Sequence, residues 1–487
     1  MEQYDVLIIG AGVIGTSIAR ELSAYDLKTA VIEKEADVCF GISSRNSGVV
    51  HSGIHYAPGS LRALHAVRGN ELFEELCSQL TVPYERIGKL TVAFEESQFP
   101  TLEKLYTQGV ENGVPDLQII DAKRMQELQP GVGGARALYS PSTGIVGPYE
   151  LTIALAEHAH AHGVDFIFTE EVVSIKNRSD LYEIQTKKGS QISAKIIIDA
   201  AGLYSDSIAH LAGIDSPRIY PCRGEYYVLD KRLEDELQLL IYPVPGNHSS
   251  GLGIHLTNTV EGNILIGPSN DYIENKEDLS TTVQILARLR EEGHELLPSL
   301  TSSDFIRSFA GLRPKLTPPE VGGFGDFIIE DHDRFILLIG IESPGLTASP
   351  SIAISIREMI ANHIPLALKK DWDPSLTREE RFLELPEDRQ EQLIAEDPDY
   401  GSVVCRCEGI TKAEVLQAVD RIMGPVTYIG IKLRCRAMMG RCQGGFCAPR
   451  IAEILKTERD ITIDEQFYKG IESPMFEGLL REESPHE

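Results

Sequence analysis

Apolar runs separated by small-residue turns open the chain. Asp5–Ile9 is largely apolar and reads as a strand, Gly10–Gly15 as a tight turn, Ile14–Leu22 as a helix and Lys28–Glu33 as a second strand. Short apolar strands alternating with helices predict a parallel sheet covered on both faces. Asn70–Leu80 and Leu151–His162 read as further helices. Ile196–Ala201 is another apolar strand that stops at Gly202, and Phe335–Gly340 repeats the pattern before a turn and a helix in SPGLTASPSIAISIREMIANH. Between these strands, Lys89–Phe94, Gly224–Leu229 and Asn263–Gly267 have the character of an antiparallel sheet. Pro365, Pro374, Pro386 and Pro398 punctuate a charged stretch with the composition of a linker. Ser402–Leu455 then forms a compact unit. Thr411-Lys-Ala-Glu414 is a capping box opening a helix expected to run through Met423 and stop at Gly424, and Pro449–Leu455 is a second helix. The last stretch is acidic and is expected to fray.

Composition changes this picture little. The 487 residues exceed one ordinary domain, and 42% hydrophobic with 24% charged residues is normal for a globular protein. A formal net charge of −27 argues against binding a phosphate backbone, so nucleic acid is excluded as a partner. No apolar run reaches the roughly 18 residues a membrane span needs. The N-terminus has neither the basic region nor the cleavage site of a signal peptide. A cytoplasmic chain is expected, with peripheral docking at the inner membrane face and oligomerisation left open.

Gly10-x-Gly12-x-x-Gly15 follows a strand and opens a helix. Gly10 permits the turn, Gly12 lets the backbone approach a pyrophosphate, and Gly15 lets helix and strand pack closely. The pyrophosphate then meets free N–H groups at the helix N-terminus. Glu33 ends the second strand, where a carboxylate can accept from ribose hydroxyls. Either FAD or NAD fits such a unit. The polar, glycine-rich stretch CFGISSRNSGVVHSGIHY (Cys39–Tyr56) suits wrapping a flavin ring, although an ordinary linker can be this polar too.

Of eight cysteines, Cys39, Cys77 and Cys222 are scattered like small core residues, whereas Cys405, Cys407, Cys435, Cys442 and Cys447 cluster near the C-terminus. Cys405-x-Cys407 and Cys442-x-x-x-x-Cys447 frame the unit. Four thiolates gathered this way suit zinc or an iron–sulfur cluster. Cys435 lies outside the paired motif and reads as a packed thiol.

The chain resembles the FAD-dependent D-amino-acid-oxidase superfamily, in the branch of the glycerol-3-phosphate and L-2-hydroxyglutarate dehydrogenases. The motifs that carry the likeness are GAGVIG, SSRNSGVVHSGIHY, DAAGLYSD (199–206), RGEYYVLD (223–230), GIHLTNTVEGNILIGPS (253–269), GLRPK (311–315) and GIESPGLTASP (340–350). The C-terminal unit resembles the bacterioferritin-associated-ferredoxin-like 2Fe–2S domain through VVCRCEGITKAEV and MGRCQGGFCAPRI. The resemblance implies an α/β fold. A Rossmann-like FAD-binding domain (1–80, 145–215, 325–365) would carry an antiparallel-sheet substrate region (81–144, 216–324). A linker (366–400), a small α-helical cysteine domain (401–456) and an acidic tail (457–487) would follow.

The same resemblance implies roles. Gly10, Gly12, Gly15 and Glu33 would hold the ADP half of FAD, with Val173 touching the adenine side through its backbone. Ser44, Arg45, Asn46 and Ser47 would line the flavin, and Gly202 would close on the cofactor. Gly340, Gly345, Leu346 and Thr347 would form a second FAD contact, their helix aiming its N-terminus at the ring. Arg313 would bind the anionic end of a small substrate through its planar fork, or else form a structural ion pair. Lys315 would add charge there, or else be a solvated strand-end lysine. His51 and His255 are the candidate bases, with His55 behind them. Cys405, Cys407, Cys442 and Cys447 would hold a 2Fe–2S cluster, zinc being the alternative.

The expected reaction is hydride transfer from a secondary alcohol to flavin N5, with sn-glycerol 3-phosphate as first substrate. L-2-hydroxyglutarate, or an amine or opine, is the alternative, and so is a non-catalytic electron-transfer subunit. Electrons would leave through the cluster to an acceptor protein or a quinone-linked partner subunit.

Overall fold

The computed structural model describes residues 2–245, 254–378 and 381–478. Gly253 of the GIHLT motif and the last nine residues of the acidic tail lie outside them. The chain divides into two compact units, one of Met1–Ile32, Val38–Phe166 and Glu170–Thr377, the other of Glu33–Asp37, Ile167–Thr169 and Arg378–Glu487.

The first unit is built on two sheets. In the eight-stranded sheet, Glu2–Ile9 pairs in parallel with both Thr29–Ile32 and Gln191–Asp199, and Gln191–Asp199 pairs in parallel with Phe335–Ile339. Leu7, Ile8, Ile197, Ile198 and Ile336 are completely buried, which is why these strands read as continuous apolar runs. The helices Val13–Ser23, Pro148–Ala161 and Gly345–Ile360 pack together beside this sheet. The helix expected over 70–80 begins earlier, at Leu61, because Ser60 caps it by accepting from the Ala63 N–H. At Gly69 it crosses Gly345–Ile360 so closely that a Cβ would lie 2.0 Å from the Thr347 carbonyl.

The nine-stranded sheet contains the expected strands, as Lys89–Ala93, Tyr220–Leu229 and Ile264–Gly267. Its pairing is mostly antiparallel, but Lys89–Ala93 runs parallel to Leu240–Pro243. Alternation gives the central strands two different faces. Leu90, Val92, Ile241 and Leu256 enter one apolar core on one side. Lys89, Thr91, Tyr242 and His255 take the other side and are all buried.

In the second unit, a two-stranded sheet (Val403–Cys405 with Ile410–Thr411) accompanies helices Lys412–Asp420, Tyr428–Cys435 and Ala448–Arg459. The capping box forms as read, with Thr411 and Glu414 bonding each other's backbone. The helix ends at Asp420 rather than Met423. Gly424 is needed for a different reason: a Cβ there would lie 2.3 Å from the Ala36 carbonyl. Arg434 and Asp37, both fully buried, form a forked pair with Nη2–Oδ1 at 3.0 Å. The stretch read as a linker is packed: Trp372 Nε1 donates to Ser23 Oγ in the first unit, while Phe382 and Tyr400 are buried in the second. Among the described residues, no helix is long and apolar enough to cross a membrane.

Candidate functional site

Gly10 ends the first strand at φ +106°, a conformation that favours glycine. Gly12 caps the first helix, and at Gly15 a Cβ would lie 1.9 Å from the Gly10 carbonyl. Turn and helix are therefore closed to any larger residue. Ser43 Oγ accepts from the Val13 N–H at 2.9 Å and so covers the same helix N-terminus; the sequence reading named its neighbours Ser44–Ser47 but not Ser43. Asn46 staples the loop, donating to the Ser43 carbonyl and accepting from the Gly48 N–H. Ser44 Oγ donates to the Gly41 carbonyl, and Arg45 Nη1 reaches the Ala310 carbonyl at 3.4 Å. Ser47 contacts Tyr226. Glu33 follows the second strand, and its Oε1 accepts from the Glu35 N–H. Val173 sits beside a register shift in Val172–Arg178 with its side chain exposed. Gly202 and Gly340 both have positive φ, at +59° and +75°. Gly345, Leu346 and Thr347 form the first turn of Gly345–Ile360.

Thr347 joins that helix to the candidate chemistry, because its Oγ1 accepts from the His51 N–H at 2.9 Å. His51 Nε2 lies 3.2 Å from the Ser343 hydroxyl, and its Nδ1 is buried with no hydrogen-bond partner among the described residues. Burial first, and then the Lys89 charge, hold His51 well below the ordinary imidazole range. His255 is stacked on Tyr242 with centroids 3.8 Å apart, and its Nδ1 is likewise unpartnered. Burial, then Lys89 and Arg313, push it down to about 3. Both rings are therefore neutral at pH 7 and able to accept a proton.

Arg313 is held by neutral hydrogen-bond partners and also feels the Glu342 charge. Its Nη2 donates to the Ser269 carbonyl at 3.0 Å and its Nη1 to Asn270 Oδ1 at 3.2 Å. Lys315 differs. Its Nζ donates to the Gly323 carbonyl and lies 3.7 Å from Glu342, which also faces Arg62 at 3.7 Å. Lys315 is thus one member of a buried ionic triad and not the solvated strand-end lysine considered from sequence. Two residues that the sequence reading passed over complete the surroundings. Lys89 is fully buried beside His55 Nε2 at 3.2 Å, and Tyr242 presents its ring to the Lys89 ammonium at 4.9 Å. The signal was present as KLTVA, a strand whose alternate positions are Lys89 and Thr91.

The four motif cysteines are free thiols that interact as two pairs, Cys405 with Cys447 and Cys407 with Cys442. Among the described residues they are not drawn into a closed ligand group. Within the first pair, the Cys447 contact draws Cys405 down to about 6, while Cys447 is pushed up. Backbone N–H groups of Phe446 and Gly444 hold Cys442 below the usual thiol range. Thiolates supported by peptide N–H donors are the donor set that an iron–sulfur cluster uses. Cys435 stands apart: its Sγ lies 3.3 Å from the Ile431 carbonyl within its own helix, and burial raises it to about 12.

Comparison with known proteins decides the family and the cofactors. Residues 5–359 match the family model described as FAD dependent oxidoreductase. The chain belongs to that family. Residues 403–457 match the BFD-like [2Fe–2S] binding domain. A glycerol 3-phosphate dehydrogenase of Caloramator mitchellensis is 40% identical over 468 residues, covering 95% of this chain and 96% of that protein. A mitochondrial L-2-hydroxyglutarate dehydrogenase of Nematostella vectensis is 30% identical over 75% of this chain and 92% of its own length. Among solved structures, the dithionite-reduced, FAD-bound L-α-glycerophosphate oxidase of Mycoplasma pneumoniae superposes with a TM-score of 0.72 at 32% identity, covering 78% of this chain and all of that one. This FAD-dependent oxidoreductase therefore takes FAD in its first unit, and its second carries the 2Fe–2S module. The glycine cradle and the N–H-supported thiols fit those two groups.

Proposed function

We propose that the chain oxidises sn-glycerol 3-phosphate to dihydroxyacetone phosphate. The observation that carries this reading is the 40% identity to a glycerol 3-phosphate dehydrogenase over nearly the whole length, C-terminal module included. The site chemistry supports it. FAD, when bound, takes up the hydride released from the carbinol carbon. The protein must then bind an anion, orient the alcohol and remove its proton. Arg313, held by Ser269 and Asn270 with no carboxylate across it in those bonds, is the anion anchor. His51 is the base: Ser343 and Thr347 fix its ring and backbone, and its unpartnered Nδ1 accepts the hydroxyl proton. His255, braced by the stacked Tyr242 ring, orients the substrate hydroxyl. Gly10, Gly12, Gly15, Glu33 and Val173 hold the ADP half of the cofactor. Ser44, Arg45, Asn46, Ser47, Gly202, Gly340, Gly345, Leu346 and Thr347 hold its flavin side.

The Cys405, Cys407, Cys442 and Cys447 cluster, when loaded, supplies a one-electron outlet to an acceptor protein or quinone-linked partner. L-2-hydroxyglutarate is the second reading, favoured by the relatives that match over three quarters of the chain. It asks the same site for the same chemistry with a carboxylate in place of phosphate. Anaerobic mixing of the FAD-loaded protein with glycerol 3-phosphate should bleach the flavin, and Arg313→Ala should abolish that bleaching. If bleaching persists at the wild-type rate in the variant, Arg313 is not the anchor.

A further inference from the structure

Lys89 stands out because, among the described residues, no carboxylate neutralises it. It lies on a central strand, in the interior, on the sheet face that also carries Thr91, Tyr242 and His255. Its polar neighbours are His55 Nε2 at 3.2 Å and the face of the Tyr242 ring, both uncharged partners. Among the described residues no carboxylate reaches it, and no charged neighbour offsets the burial of its ammonium. An unpaired buried ammonium costs several kcal/mol and is retained only where something else gains from it. Lys315 shows the ordinary solution, a buried lysine facing a buried glutamate. Around Lys89 other polar atoms also lack partners among the described residues: Thr91 Oγ1 on the same strand and His255 Nδ1 on the next strand but one. His255, two strands from Lys89 in the sheet, feels the Lys89 charge and, less strongly, that of Arg313.

The geometry points to Lys89 as the second cation of a dianion-binding site whose first is Arg313, with His55 and the Tyr242 ring holding the ammonium ready for the substrate's phosphate or distal carboxylate. This assignment rests on the reading that the substrate is a small anionic alcohol and narrows it to dianions. It also explains the buried lysine itself: the missing counter-charge arrives with the ligand. His55 accordingly acts as a positioning residue for the lysine rather than as a base.

The test uses the full-length, FAD-loaded protein and its Lys89→Met and Lys89→Arg variants. Thermal unfolding is followed with and without inorganic phosphate or glycerol 3-phosphate, alongside anaerobic flavin reduction by glycerol 3-phosphate, L-lactate and glycerol. Without ligand, Lys89→Met should unfold at or above the wild-type temperature, because the uncompensated charge is gone. Phosphate should protect the wild type and Lys89→Arg but not Lys89→Met. The apparent Kd for glycerol 3-phosphate should rise about 30-fold in Lys89→Met, the size expected for loss of a charged hydrogen bond, with glycerol unaffected. Should no alcohol bleach the flavin, the substrate reading fails, yet the phosphate protection still reports on Lys89. Equal protection of wild type and Lys89→Met, or a Lys89→Met chain that is less stable or fails to fold, would overturn the proposal by showing that the lysine serves the fold.

Discussion

Lys315 and Lys89 are both buried on strands of the nine-stranded sheet, yet their surroundings are opposite. Around Lys315 the charges pair with one another: Glu342 faces both Lys315 and Arg62, and the carbonyls of Gly323 and Gly325 each take a donor, although Arg62 Nε and Glu342 Oε2 make no hydrogen bond among the described residues. Around Lys89 and the histidines the polar groups stay open, with Nδ1 of His51, Nδ1 of His255 and Thr91 Oγ1 all unpartnered among the described residues. A closed ionic group holds the fold together and has little left to offer a ligand. An open one lowers stability and is pre-arranged for a reaction. The difference separates residues whose loss should be read in unfolding from those whose loss should be read in turnover.

The largest effect should come from the open region. His51→Asn is expected to slow anaerobic flavin reduction by about 10³-fold, within the usual range for a general base, and to leave the unfolding midpoint nearly unchanged. A variant that unfolds early instead would move His51 to the closed class. Next is Lys315→Met, which breaks the triad and leaves Glu342 with one cation; a loss of about 3 kcal/mol in urea unfolding is expected. No loss would mean that the triad is not the closed group described.

The pH dependence of stability follows in size. Burial brings Lys89 down to about 7 in the fold from an ordinary 10.5. Between those values the unfolded chain binds a proton that the native state largely lacks, so stability should rise with pH there, by at most about 1.4 kcal/mol per unit. Unfolding midpoints of wild type and Lys89→Met, compared at pH 7.5 and 9.5, isolate the effect: the wild type should gain relative to the variant as pH rises. The histidines set a further contrast. Both candidate rings lie below the ordinary imidazole range, so kcat/KM should not fall on an acid limb near pH 6.5. An acid limb at that pH would mean an exposed base. The smallest effect should be Cys435→Ser, which keeps the electron paramagnetic signal of the reduced cluster, whereas Cys407→Ser loses it.

Much of the architecture was legible because its signals are local. The glycine triplet, the apolar strand before it and the capping box at Thr411–Glu414 each need only a few neighbouring residues. The motif histidines and Arg313 were visible from family likeness. What sequence could not show depends on partners far apart in the chain. Lys315 looks like a surface lysine until Glu342 is seen across from it. Gly424 looks like a helix stop, but its constraint is the Ala36 carbonyl. Lys89 in KLTVA alternates with apolar residues in the ordinary way, and only the pairing with Leu240–Pro243 shows which face it takes. The helix Tyr428–Cys435 was missed, its capping residue Thr427 accepting from the Gly430 N–H without an acidic partner to mark it.

The central claim is that this site takes hydride from a small anionic secondary alcohol, glycerol 3-phosphate before others. Stopped-flow measurement of flavin bleaching under anaerobic conditions, with glycerol 3-phosphate, L-2-hydroxyglutarate and an opine at matched concentrations, tests it most directly. The account predicts the fastest bleaching by glycerol 3-phosphate. Faster bleaching by L-2-hydroxyglutarate would shift the substrate to a 2-hydroxy acid, and bleaching by none of the three would contradict the claim.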